Sequence, residues 1–128
     1  MVSDGGWESG NALIDGIVGL PGSAARTAIL RGPNVYVELF QYTSPPGRSG
    51  DPDRPVSDHG YTTSEWSSTT IDAEYERLLG LGMRFHGPPS PKEAVGGRLR
   101  ACYGRDPEGN VVELMQILTP AYAAPLLV

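Results

Sequence analysis

The sequence predicts an α+β fold made of two related halves, and three observations predict it. The chain repeats itself: "NVYVELFQYTSP" at 34–45 returns as "NVVELMQILTP" at 110–120, sharing Glu-Leu-[Phe or Met]-Gln in register. A hairpin signal precedes each copy, the apolar run "ARTAILRGPN" in the first and "LRACYGRDPEGN" in the second. Between the copies, "IDAEYERLLGLG" carries the 3.6-residue period of an amphipathic helix.

Taken in order, "NALIDGIVGLPG" predicts a short helix with Leu13, Ile14, Ile17 and Val18 on one side, stopped by Gly19 and Pro21. Strands follow over "ARTAILR" and "NVYVELFQY". Residues 44–60 hold four prolines and three glycines with almost no apolar residue, so they read as a linker between the halves. Within it, 46–58 is the expected domain boundary, with 1–45 as a partial first module and 59–120 as the second. Residues 121–128 are a tail. The stretch "TTSEWSSTT" at 62–70 reads as a loop or a polar edge strand. In the helix that follows, Ile71, Tyr75, Leu78 and Leu79 face inward, Glu74 and Glu76 outward, and Gly80 or Gly82 ends it. "MRFHGPP" is a short strand cut off by prolines. In "DPEGN", Asp106, Pro107 and Gly109 suit the first, second and fourth positions of a type I turn.

The last strand frames the functional question. Alternation puts Val111, Glu113, Met115 and Ile117 on one face and Val112, Leu114, Gln116 and Leu118 on the other. Both faces are mostly apolar, so the strand should be covered on both sides, and a carboxylate there needs a cation, a metal, a hydrogen-bond donor or a proton. In the first copy Glu38 shares its face with Tyr36, Phe40 and Tyr42. Two carboxylates at equivalent places of two related hairpins point to a shared role.

Composition narrows the classes. A chain of 128 residues is long enough for a real core. A net charge of −5 without a basic cluster argues against nucleic acid or an anionic membrane as partner. No apolar run reaches the roughly 20 residues needed to span a bilayer, and the N-terminus has no signal-peptide pattern, so a cytoplasmic location is expected. The single cysteine, Cys102, is expected to be a small buried apolar residue.

A helix-led meander ending in "DPEGNVVEL", duplicated across a linker, resembles the vicinal oxygen chelate superfamily, which includes glyoxalase I, methylmalonyl-CoA epimerase, extradiol dioxygenases and the bleomycin and fosfomycin resistance proteins. The resemblance spans roughly residues 11–118 and is most specific over 103–115. It implies paired βαβββ modules forming a cupped mixed sheet, the first module lacking its first strand and helix. It also implies a divalent metal (Mn, Fe, Ni or Zn) held by strand-four glutamates and strand-one histidines. By resemblance Glu38 and Glu113 fall on the glutamate positions as ligands or catalytic bases.

The chain departs from that pattern where the histidines should be. It begins inside what would be strand two. The second module's strand one carries Thr63 where a histidine is expected. Serine TCN codons read one base out of register become apolar, so a pair of compensating frameshifts bounding 63–70 would explain the polar run. Resequencing the gene there tests this.

His59, four residues earlier, would share the face of position 63 if the segment stays extended, and is the remaining candidate third ligand. His86 is expected to have a surface or packing role. Tyr36, Phe40, Tyr42, Arg100, Tyr103 and Met115 are the expected substrate contacts, Arg100 and Tyr103 toward an anionic group. Two function classes follow: a metal-dependent lyase, isomerase or dioxygenase acting on a small molecule chelated through vicinal oxygens, and a metal-free, antibiotic-sequestering binding protein. The open sheet edge beside Glu38's strand further predicts a homodimer.

Overall fold

The computed structural model describes residues 2–32 and 35–119. The tail expected at 121–128 lies outside them. The chain divides into two compact units, Met1–Ser49 and Gly50–Val128.

In the first unit, β1 (Val2–Trp7), β2 (Ala24–Arg31) and β3 (Tyr36–Ser44) form an antiparallel sheet in that order, with α1 (Ala12–Val18) between β1 and β2. Asn11 caps α1 by accepting the Ile14 N–H, and Gly19 closes it in the left-handed region at φ 70°. Asp15 straps the helix to the sheet: its carboxylate accepts from the Gly22 and Ser23 N–H groups at 2.7 and 2.8 Å and from the Ser23 hydroxyl at 2.6 Å. Ser23, fully buried, in turn accepts from the Trp7 indole at 2.9 Å.

The Ser23 hydroxyl, followed by the two N–H groups, holds the Asp15 carboxyl below the usual range. A carboxylate held low contributes stability above its unfolded value and loses it as pH falls through the folded one. Asp15→Ala should therefore lower the melting temperature at neutral pH and leave a smaller acid-dependent loss, as thermal melts from neutral pH to pH 3 will show. The apolar side of α1 is not packed as the helical period suggests, since Leu13 and Ile17 are 75% and 74% exposed.

The second unit contains a four-stranded mixed sheet, in the order β4 (Thr63–Ser67), β7 (Val111–Ile117), β6 (Leu99–Arg105), β5 (Arg84–Phe85). β4 runs parallel to β7 and the other pairs are antiparallel. Within the polar run at 62–70, Thr63–Ser67 is thus an edge strand rather than a loop. A parallel partner requires a crossover, and α2 (Ile71–Gly80) supplies it. Its Ile71, fully buried, meets Cys102 and Leu114 on the sheet, with Tyr75, Leu78 and Phe85 packed around them. Cys102 is a buried apolar residue as expected. Leu79, expected inward, is 45% exposed, because the stripe through Ile71, Tyr75 and Leu78 already meets the sheet.

Among the described residues of this unit, the helix packed on the sheet lies on that side of β7. Leu114 is buried on the α2 side, and on the opposite face Val111 is buried, Glu113 and Met115 half-buried and Ile117 exposed, so cover on that face fades along the strand.

The stretch expected as a linker folds onto the second sheet. Buried Arg105, at the end of β6, donates to the Pro52, Arg54 and Gly109 carbonyls at 3.2, 2.8 and 2.9 Å. The β6–β7 turn closes as predicted, with the Gly109 N–H donating to the Asp106 carbonyl at 3.0 Å. Gly109 has φ 89°, and a β-carbon there would lie 2.3 Å from the Pro52 Cα. Gly109→Ala combines backbone strain with a clash against main chain. A loss of about 2 kcal/mol or more is expected in urea unfolding.

Candidate functional site

Strand register builds the site from β4, β6 and β7. Glu113 lies directly opposite Tyr103 on β6 and Glu65 on β4, so the three side chains form a row across the face of the sheet opposite α2. Met115 extends it, flanked by Ala101 and Ser67. Burial raises the Glu113 carboxyl above the usual range; the Glu65 charge raises it further, and a hydrogen bond with the Tyr103 hydroxyl works against both. Burial likewise raises the Tyr103 phenol, with the Glu113 charge next in weight.

A carboxyl whose folded value is raised costs stability while ionised, and that cost disappears as pH falls through the raised value. Glu113→Gln should therefore melt higher than the parent above that value, with the gap closing on acidification. A lower melting temperature at pH 8 would show that the carboxylate is held by a favourable partner.

The structure redistributes the other expected site residues. Arg100 projects from β6 to the α2 side, away from Glu113. Its guanidinium forms a two-pronged ion pair with Asp72 at 2.6 and 2.8 Å and donates to the Ser90 carbonyl at 2.7 Å, which corrects its expected role as an anion contact. It ties α2 and the 86–98 loop to the sheet.

His59 also departs from expectation. The segment around it is a run of turns and bends, with Gly60 at φ 113°, so the extended geometry that would bring it to the face of position 63 is absent. Its carbonyl accepts from the Arg54 guanidinium. His86 has a packing role: its Nε2 accepts from the Arg105 Nε–H at 3.1 Å.

In the first unit, Tyr36, Glu38, Phe40 and Tyr42 share one face of β3, opposite Arg31, Ile29, Thr27 and Ala25 of β2. Glu38 is exposed there. The Phe40 and Tyr42 rings stack at 6.0 Å and Trp7 meets both edge-on at 6.0 and 5.9 Å. Sequence reasoning missed Trp7 and Glu65. Alternation within "TTSEWSS" could have put Glu65 on the face of Thr63 and Ser67, but its match with Glu113 depends on the β4–β7 register.

The resemblance implies a divalent metal, and the donors around Glu113 test it. The row offers two carboxylates and a phenol; the His86 ring lies 6.4 Å from that of Tyr103, but its Nε2 is taken by the Arg105 guanidinium. Among the described residues, no three His, Cys, Asp or Glu side chains are grouped so as to hold an ion. The residues present do not fit an imidazole–carboxylate centre. Among the described residues, too, no helix is long and apolar enough to cross a membrane.

No family model matches the chain, and no curated protein does. Among solved structures it is similar to a glyoxalase family protein from Bacillus cereus, at TM-score 0.77 and 24% identity over 91% of this chain and 76% of that one. A glyoxalase/bleomycin resistance protein/dioxygenase from Nocardioides aligns at TM-score 0.44 and 26% identity, over 85% of this chain and 69% of that one. The 1-4-3-2 strand order of the second unit, a β-α-β-β-β module, and the likeness to the Bacillus cereus protein together show that the chain has the glyoxalase fold.

Proposed function

We propose that the chain binds a small organic molecule on its second sheet, as a binding protein of the bleomycin-resistance kind. The observation that carries this reading is the Glu65–Glu113–Tyr103 row: polar groups set among Met115 and Ala101 on the face of the sheet opposite α2. A half-buried carboxyl paired with a phenol can accept from a ligand donor or, once protonated, donate to a ligand oxygen. The glyoxalase-like alternative uses the same Glu113 as a proton acceptor, which its raised affinity for protons suits. The aromatic face of the first sheet, with Trp7, Phe40 and Tyr42, is a stacking surface in its own right.

Calorimetric titration with bleomycin, and turnover assays with a glutathione hemithioacetal and a catechol, separate the readings. Saturable bleomycin binding without turnover is expected. Glu113→Gln should keep affinity within about threefold, because the amide preserves shape and one acceptor. Glu113→Leu should lose roughly tenfold, about 1.4 kcal/mol. Equal affinity in Glu113→Leu and the parent would remove the row from the site.

The outer edge of β3 has no partner strand among the described residues, and Tyr36 and Leu39 on that strand are 67% and 55% exposed. We propose that it supports self-association into a homodimer, which light scattering on the purified chain will test.

A further inference from the structure

We infer that the Glu113 site works without a resident zinc, nickel or iron ion, in disagreement with the imidazole–carboxylate centre that the fold's metalloenzymes imply. The inference rests on the reading of the Glu113 row as the ligand site, and it follows from where the chain's soft and borderline donors are placed. The sequence contains two histidines and one cysteine. Cys102 is on the α2 side of β6, buried against Ile71 and Leu114, so its sulfur faces away from Glu113. His86 commits its Nε2 to the Arg105 guanidinium. His59 sits in the turns before β4 rather than on its face.

Among the described residues of the second unit, register and ring contacts leave Glu65, Tyr103, Met115, Ala101 and Ser67 beside Glu113, with the Arg105-bound His86 ring beyond Tyr103 at 6.4 Å. Zinc and nickel are retained by imidazole and thiolate, and iron in oxygenases by two histidines and a carboxylate. Two glutamates and a phenol provide none of these sets. The register makes this a property of this sequence on the fold, because residue 65, directly beside Glu113 on the parallel strand, is a glutamate.

The test uses the full chain, purified without chelator or metal-affinity chromatography. Its metal content is measured by elemental analysis, followed by calorimetry with Ni(II), Zn(II) and, anaerobically, Fe(II). Less than about one-tenth of an equivalent of any of these, no binding tighter than the millimolar range and a melting temperature unmoved by EDTA are the expected results. About one equivalent of zinc, nickel or iron, or submicromolar affinity lost in Glu113→Gln, overturns the inference. Failure of bleomycin binding with metal still absent would count against the proposed ligand and leave this inference standing. Metal binding combined with bleomycin binding would do the reverse.

Discussion

Arg105→Ala should cost about 3 kcal/mol in urea unfolding and expose residues 51–59 to hydrogen exchange well before the sheet opens. The wild-type guanidinium is buried and donates to three backbone carbonyls and the His86 imidazole. Truncation strands those acceptors, each worth about 1–3 kcal/mol if it stays dry. The Pro52 and Arg54 carbonyls belong to a surface segment that can move out to water, which limits the loss, whereas the Gly109 carbonyl is held in the β6–β7 turn. The exchange pattern is the decisive readout. Loosening confined to 51–59 supports the clamp, while uniform loosening of the second sheet would mean that Arg105 acts through the core.

Ile71→Ala should cost a similar or larger amount, about 3–4 kcal/mol, through a different mechanism. Ile71 is fully buried at the start of α2, where it fills the space between Cys102 and Leu114. Removing its branched end loses transfer free energy and leaves a cavity that a helix tied by the Arg100–Asp72 ion pair cannot easily close. The urea midpoint should fall with the slope unchanged, as expected of a cavity in an otherwise native sheet. A fall in the slope would show that α2 has already detached. Ile71→Val, removing one methylene, should lose only about 1 kcal/mol.

These two residues also mark what the sequence could and could not reveal. Ile71 was legible, because helical spacing places it with Tyr75 and Leu78 on one stripe. The pairing of β6 with β7 and the position of Glu113 were legible too, since alternation and a turn signal are local. Arg105 was not. Its partners are backbone carbonyls, two of them some fifty positions away, and main-chain acceptors leave no trace in residue identity. Arg100 was misread because the two faces of β6 differ only in what packs on them: α2 and Asp72 claim one, Glu113 the other. Glu65 was hidden because β4 lacks the apolar alternation that identifies a strand, and its pairing with Glu113 is fixed by β7 and α2.

That parallel pairing also bears on how the unit comes together. β6 and β7 are joined by a tight turn and β5 lies one loop before them, while β4 must find β7 from about fifty residues away, and contacts so distant in sequence are entropically late. Substitutions on β4, such as Trp66→Ala, should therefore accelerate unfolding far more than they slow refolding, with little of their effect present at the barrier. Glu65 would then join Tyr103 and Glu113 only in the final step, so a species with its meander formed and β4 still loose would have most of its core but an incomplete ligand face.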